Sequence, residues 1–150
     1  MNVAFFLIPK CMTATIFADD SLRAGLEKMR YHGYTSIPVL SKDCKYVGTI
    51  SEGDFLWYLI DEQKEELHKT PIKSVEDTII QDVLSTDKNQ PVRITASMEE
   101  LLERSLNQSF IPVVDDLGTF IGIVTRKKII EYYAKNYIEK TKQIQKILSA

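Results

Sequence analysis

The chain has 150 residues, of which 44% are apolar and 27% are charged, and its formal net charge at pH 7 is −2. This composition is ordinary for a water-soluble protein, and the length allows one compact domain or two small halves with a shared core. The small net charge gives no support to a nucleic-acid surface. Cys11 and Cys44 fit neither a disulfide framework nor a zinc site, so we expect two free thiols in a reducing cytosol.

The N-terminal run from Val3 to Ile8 is apolar, lacks a basic lead-in and is followed by Pro9 and Lys10. It is too short for a signal peptide or a membrane span. We therefore expect a buried strand or packing arm here, and a cytoplasmic protein without a membrane partner.

The first structural unit is predicted to begin with a short apolar strand near residues 14–18. A helix follows, because residues 19–21 offer N-cap side chains and apolar residues recur on one face from Leu22 to Met29. Gly33 is a plausible stop for this helix, since glycine adopts the left-handed conformation that ends many helices.

Two strands and a second helix complete that unit. The segments 36–40 and 46–50 are rich in β-branched and aromatic residues and flank a polar turn, and residues 51–54 can open a helix. The order is β-α-β-β-α. Residues 61–74 are highly charged and contain Pro71, which predicts a linker between two units.

The second unit is predicted to repeat this order. It begins with a capping box at residues 74–77 and a short helix whose inner side carries Ile79, Ile80, Val83 and Leu84. The elements that follow are a strand at 91–95, a helix at 97–107, strands at 111–114 and 120–124, and a long helix from Thr125. A heptad-like spacing along this last helix, which favours docking or pairing with a second copy, involves Ile130, Ala134, Tyr137, Thr141, Ile144 and Leu148.

The chain contains an internal repeat without gaps, because residues 109–130 follow the pattern of residues 35–56 at an offset of 74. A duplicated unit usually packs against its copy, and clefts at such interfaces are natural ligand sites. The alternation along the repeated strands predicts that the following residues are buried between the two units: Val39, Val47, Ile50, Val113, Ile121 and Val124.

The run at residues 32–54 resembles the CBS domain through three motifs: Gly-Tyr-Thr-Ser-Ile-Pro-Val, aliphatic-Gly-x-aliphatic and Ser-x-x-Asp. Two such units in tandem resemble a CBS pair, or Bateman module, over about residues 8–136. This resemblance implies an α+β fold in which two β-α-β-β-α motifs pack about a pseudo two-fold axis, with a long C-terminal helix. The motifs would span 1–68 and 69–136, and 137–150 would form a helical extension.

The resemblance also implies a function. Many members bind an adenosine nucleotide between the motifs as a regulatory ligand, here AMP, ADP, ATP or cyclic di-AMP, and two modules commonly form a homodimer. Because no partner domain follows in this sequence, we expect the signal to reach a separate, unknown effector protein. The alternative is a structural homodimerisation module with a vestigial nucleotide pocket. We do not expect an enzyme, since the sequence contains no recognised catalytic or metal-binding motif.

In the first repeat, Ser51 and Asp54 have the spacing of a helix capping box, and this explanation suffices on local grounds. The resemblance implies a second role, in which Asp54 binds ribose hydroxyls. Thr35 and Ser36, which precede a proline within a strand, are ordinary strand residues or contacts to the base or phosphate.

In the second repeat, Thr125 is followed by Arg126, Lys127 and Lys128 in the first turn of a helix. Cations are unfavourable there, by about 0.3–1 kcal/mol each, unless an anion binds. We expect Arg126 and Lys127 to reach phosphate groups, although a solvated basic surface is a simpler alternative.

Two further residues are expected near the ligand: Ala14, through its backbone, and Pro38, which with Pro112 marks a strand start or an open edge. The second repeat departs from the first, because it lacks an acid at the position of Asp54 and two residues before its proline. We therefore predict one principal nucleotide site to which both repeats contribute.

Overall fold

The computed structural model describes residues 1–65 and 76–150, and residues 61–65 by their backbone alone. The helices are α1 (Val3–Phe6), α2 (Leu22–His32), α3 (Glu52–Glu65), α4 (Ile80–Val83), α5 (Met98–Asn107) and α6 (Arg126–Leu148). The strands are β1 (Ile8–Pro9), β2 (Ile16–Phe17), β3 (Ser36–Leu40), β4 (Tyr46–Ser51), β5 (Val92–Arg93), β6 (Phe110–Val114) and β7 (Phe120–Thr125). A 3-10 turn at Lys10–Met12 joins β1 to β2.

Each repeat builds one small sheet, and the two sheets have the same register. In the first, β2 is parallel and β4 antiparallel to the central β3; in the second, β5 and β7 flank β6 in the same way. Ile37 pairs with Ile50 just as Ile111 pairs with Val124. The predicted repeat and the predicted α+β order are therefore confirmed.

Local capping explains where the helices begin and end. Ser21 and Ser97 accept hydrogen bonds from the backbone N–H groups of Ala24 and Glu100 at the starts of α2 and α5. Gly33 ends α2 with φ of +67°, which is costly for residues with a Cβ.

The segments that lead into the two repeats are exchanged between the sheets. The N-terminal arm, residues 3–9, packs on the second repeat: Val3 and Phe6 belong to its core, and β1 pairs with the edge strand β7. Residues 78–84 pack in turn on the first repeat, where Ile80 belongs to the core. The predicted packing arm is confirmed as a helical turn followed by a two-residue strand. The boundary predicted between residues 68 and 69 divides the chain by sequence, whereas the packing units exchange these two segments.

Each sheet has its own hydrophobic core, so the expected burial of six residues between the repeats is wrong. Val39 and Ile50 lie in the first core, and Val113 and Val124 lie in the second. Val47 and Ile121 are only half-buried. The period-two pattern identified Val39, Ile50, Val113 and Val124 as buried, but these residues pack in the core of their own sheet, which also contains the exchanged segment.

The repeats meet instead through their hairpins. An antiparallel bridge joins Lys45 to Thr119, and Phe120 donates a backbone hydrogen bond to the carbonyl of Cys44 at 2.9 Å. The rings of Tyr46 and Phe120 stack with centroids 6.4 Å apart. These contacts hold the two sheets about the pseudo two-fold axis.

The charged segment that was predicted as a linker is partly helical, because α3 continues to Glu65. The remainder of that prediction, and the capping box at residues 74–77, extend outside the described residues. The predicted seam on α6 is largely exposed, with Tyr137 73% and Leu148 81% accessible. No helix in the described part of the chain has the length and apolarity needed to span a membrane.

Candidate functional site

Cleft A is a cavity of about 340 Å³ between the first sheet and the edge of the second. Its lining is largely apolar with a scatter of hydroxyl groups, and comprises Ile8, Met12, Thr13, Ala14, Gly33, Tyr34, Thr35, Ser36, Pro38, Ser109, Phe110, Ile123 and Thr125. Both repeats and the N-terminal arm contribute residues. Its volume is at the lower end of the range for small-molecule sites.

The opening of cleft A depends on the shortness of β2. That strand pairs with β3 only at Val39 and Leu40, so residues 36–38 have no neighbour on this side. Pro38, which lacks a backbone N–H, sits in this unpaired part without breaking a ladder bond there. Pro38 lies inside the central strand β3 and pairs with Thr49 of β4, so it marks neither a strand start nor an edge strand, and only its β2 side lacks a strand partner among the described residues.

Cleft B is the counterpart of cleft A across the pseudo two-fold axis and measures about 260 Å³. It is lined by polar side chains from both repeats: Ser36, Thr49, Ser51, Lys88, Asn89, Asn107, Ser109 and Arg126. Through Lys88, Asn89 and Asn107 it adjoins an open surface groove of about 840 Å³.

The two clefts correspond residue by residue. Thr125 and Ile123 of cleft A match Ser51 and Thr49 of cleft B at the offset of 74. For β2 and β5 the offset is 76, because Ile16 and Val92 pair with the equivalent residues Val39 and Val113. Cleft A is the more apolar of the two because it has Ile123 and Met12 where cleft B has Thr49 and Lys88.

Asp54 is held in place beside cleft B by three hydrogen bonds. Its Oδ2 accepts from the backbone N–H of Ser51 at 2.8 Å and from the Ser51 hydroxyl at 2.9 Å, and its Oδ1 accepts from Lys88 Nζ at 2.5 Å. The Asp54 side chain is only 9% exposed. Burial by itself raises the pKa of Asp54, but the bonds from Lys88 and Ser51 outweigh it and hold the pKa below its usual range.

Arg126 lines cleft B while capping a neighbouring helix. Its Nε donates to the carbonyl oxygens of Ser105 at 2.6 Å and Gln108 at 3.2 Å, at the C-terminal end of α5. A cation is favourable there because the helix dipole places partial negative charge on these carbonyls. Lys127 is 84% exposed and pairs with Glu131 at 3.7 Å, so the structure places it outside both clefts.

The predicted site residues are therefore divided between two places. Cleft A brings together Ala14, Thr35, Ser36, Pro38 and Thr125, whereas Ser51 and Arg126 line cleft B and Asp54 lies beside it. Ser36 is common to both. The starts of α3 and α6 meet at cleft B, which Ser51 and Arg126 both line, whereas the α6 N-cap residue Thr125 lines cleft A.

Sequence reasoning missed more than half of the residues that line the two clefts. Adding the repeat offset of 74 to Thr35 would have identified Ser109 as a lining residue. The same offset relates Ser51 to Thr125, which were both predicted. The missed lining residues are Ile8, Met12, Thr13, Gly33, Tyr34, Phe110 and Ile123 in cleft A, and Thr49, Lys88, Asn89 and Asn107 in cleft B. No local motif marks Lys88, which reaches Asp54 across 34 residues of sequence.

Tyr46 links two residues that line cleft B, Thr49 and Asn89. Its hydroxyl shares a hydrogen bond with Thr49 at 2.8 Å and contacts the carbonyl oxygen of Asn89 at 2.7 Å. Burial raises the pKa of the Tyr46 phenol to about 12, despite the opposing hydrogen bond with Thr49. Within residues 1–65 and 76–150, no group of His, Cys, Asp and Glu residues could hold a metal ion. Cys11 and Cys44 are free thiols.

Comparison with known proteins places this architecture. The model of the CBS domain matches residues 9–61 and 75–135. Cyclic di-AMP receptor B of Bacillus subtilis is 25% identical over 90% of this chain and 88% of its own length. An uncharacterized protein of Methanocaldococcus jannaschii is 27% identical over 77% of this chain and 83% of its own length. The crystal structure of CbpB in complex with c-di-AMP matches with a TM-score of 0.82 and 28% identity, covering 95% of this chain and 91% of CbpB.

Proposed function

The chain belongs to the CBS-domain family, and we propose that it is a regulatory module that binds an adenine nucleotide in cleft A and relays its presence to a separate effector protein. The observation that carries the proposal is the composition of cleft A, an apolar slot rimmed by hydroxyl groups and built from both repeats. The similarity to CbpB, whose crystal structure contains c-di-AMP, makes cyclic di-AMP the first nucleotide to test. AMP, ADP and ATP are the others.

The apolar wall of cleft A suits a purine base. Ala14, Pro38, Phe110 and Ile123 offer flat or small surfaces, and Tyr34, with 44% of its surface exposed, stands at the mouth. An aromatic base buried there is stabilised by the area it removes from water and by ring contacts.

The rim suits the sugar and the phosphates. Four residues that carry hydroxyl groups line the same cavity: Thr35, Ser36, Ser109 and Thr125. Lys128, the third residue of α6, donates its backbone N–H to the Thr125 hydroxyl oxygen at 3.2 Å. The proposed ligand contacts from the predicted set are accordingly those of Ala14, Thr35, Ser36, Pro38 and Thr125.

A ligand in cleft A would act on the arrangement of the two repeats, because its walls belong to both. The proposed output is a change at the hairpin contact between Lys45 and Thr119 or on the exposed face of α6, read by an effector protein. Such a module acts by binding rather than by catalysis, since a ligand shifts a conformational equilibrium only through its different affinities for the two states.

A matched pair of variants tests the proposal. Ala14→Trp fills cleft A, and Gln90→Trp places the same ring at the equivalent position beside cleft B. Calorimetry with cyclic di-AMP, AMP, ADP and ATP should show tight binding to wild type, a loss of at least about tenfold for Ala14→Trp, and little change for Gln90→Trp. Both variants should melt near wild type without nucleotide, which checks that they fold.

The proposal fails if no adenine nucleotide binds wild type below millimolar concentration, or if Ala14→Trp binds like wild type. The alternative, a structural homodimerisation module, would then take its place. The apolar surface that α3 and α6 leave exposed favours it, including Trp57 at 64% and Ile130 at 58% exposure. Light scattering of the nucleotide-free protein would then give the mass of two chains, and a concentration-independent monomer would rule out this alternative.

A further inference from the structure

The two clefts differ most at a pair of positions that changed together. Asp54 and Lys88 form an ion pair beside cleft B, with Lys88 in the lining of that cleft. Their equivalents at cleft A are Lys128, at the offset of 74, and Met12, at the offset of 76. None of the described residues that line cleft A is an acid, and Met12, which lines it, is 74% exposed.

The pair crosses the boundary between the repeats. Asp54 belongs to α3 of the first repeat, and Lys88 precedes β5 of the second. The Lys88 side chain is 52% exposed, so its ammonium group is tied to a nearly buried carboxylate although water is available to it. A charge-assisted bond to a fixed, largely buried acceptor is stronger than an exposed ion pair.

The hydrogen-bonding capacity of Asp54 is almost exhausted by this arrangement. A carboxylate offers about four lone-pair sites. Ser51 uses two of them on Oδ2, and Lys88 uses one on Oδ1. About one site remains, whereas a nucleoside with a free vicinal diol presents two hydroxyl donors side by side.

We propose that Lys88 is an internal substitute for the ligand of cleft B: by holding Asp54 it closes this cleft to nucleotides, so that each chain binds one nucleotide, in cleft A. The proposal rests on the proposed function and names the residue that sets its stoichiometry. Cleft B and the adjoining groove, of about 260 and 840 Å³, together have room for a nucleotide, so the obstacle is the engaged carboxylate of Asp54 rather than lack of space.

The test replaces Lys88 by the residue that stands at its equivalent position. Lys88→Met keeps an unbranched side chain and removes the charge, and Lys127→Ala is the matched control, because it removes one exposed lysine charge outside both clefts. The probe is AMP, which carries both a vicinal diol and a phosphate. Calorimetry and native mass spectrometry count the molecules bound per chain.

The expected result is one AMP per chain for wild type and Lys127→Ala, and two for Lys88→Met. Affinity for cleft B should rise at least about tenfold when the competing charge-assisted bond is removed. In the double variant Lys88→Met, Ala14→Trp, one AMP should remain, which assigns the new site to cleft B.

Every other outcome decides one or both proposals. The same number of AMP molecules on wild type and Lys88→Met, whether one or two, overturns the role of Lys88 and leaves the proposed function standing. Two on wild type and one on Lys88→Met also overturns it, because Lys88 would then be binding the phosphate. None on wild type and one on Lys88→Met supports the role of Lys88 and overturns nucleotide binding in cleft A, and none on either overturns both.

Discussion

The first and second repeats have the same strand register, yet their clefts have opposite chemistry. Ile37 opposite Ile50 and Ile111 opposite Val124 hold the same places in the two sheets. Near the clefts, by contrast, Asp54 corresponds to Lys128 and Lys88 to Met12. Positions buried in a sheet must keep their shape to preserve packing, whereas positions facing an opening can change charge at little cost to stability. The comparison shows how a duplication can retain its scaffold twice while its two binding surfaces diverge.

The largest expected difference between the repeats is at their equivalent glycines, Gly122 and Gly48. A Cβ on Gly122 would lie 2.1 Å from the carbonyl oxygen of Ile8, and the backbone there has φ of +157°. We expect Gly122→Ala to lower the free energy of unfolding by about 2–4 kcal/mol, because it displaces β1 from the sheet edge. Urea denaturation followed by circular dichroism measures this change.

Gly48→Ala is the control for that substitution. Its Cβ would meet the movable side chain of Leu84 at 3.2 Å, so we expect a loss below about 1 kcal/mol. Equal losses at the two glycines would mean that the N-terminal arm does not dock on β7 as described.

A smaller difference is expected between Arg126 and its equivalent, Glu52. Arg126→Ala removes the charged cap from the end of α5 and should cost about 1–3 kcal/mol. Glu52→Ala removes an exposed acid from the first turn of α3 and should cost about 0.3–1 kcal/mol. Thermal melting compares the two variants, and an unchanged Arg126→Ala midpoint would contradict the capping role.

The smallest effect concerns the titration of Asp54. Lys88→Ala removes a bond that lowers the pKa of Asp54, so its titration midpoint, measured by carboxyl carbon NMR, should rise toward the ordinary value of about 3.9. A depressed folded-state pKa stabilises the protein above the unfolded-state pKa, and this contribution is lost as the pH falls through the folded-state pKa. The stability difference between wild type and Lys88→Ala should therefore be present at neutral pH and vanish in acid. Asp115, whose acceptor bonds come from Leu117 and Thr119, should titrate identically in both proteins.

Much of the local structure could be predicted from sequence because it is determined locally. Ser21, Ser97 and Gly33 act through backbone groups within a few residues, and the alternation of buried and half-buried residues along β7 depends only on one buried face. The exchange of residues 3–9 and 78–84 could not be predicted, because the apolar character of a segment does not indicate which of two hydrophobic cores it will join.

The site was predictable only in part for the same reason. The repeat makes Ser51 equivalent to Thr125, and Thr35 equivalent to Ser109, but it does not show which of these residues share a cleft. Lys88 could be identified as a site residue only from the structure, in which it lies next to Asp54. Arg126 was expected at a phosphate because of its charge and helix position, whereas the carbonyl groups of α5 lie at that place in space.

The pairing of β1 with β7 also determines the order in which parts of the protein can fold during translation. Ile8 pairs with Ile123, so the arm is synthesised 115 residues before its partner strand. At roughly 5–20 residues per second, the arm waits on the order of ten seconds on the ribosome with Val3 and Phe6 unburied. The strands of the first sheet are all synthesised much earlier than β7. Its core is still incomplete, however, until Ile80 has been synthesised. Folding during translation thus closes the first repeat before the second, and the N-terminal arm docks last although it precedes both.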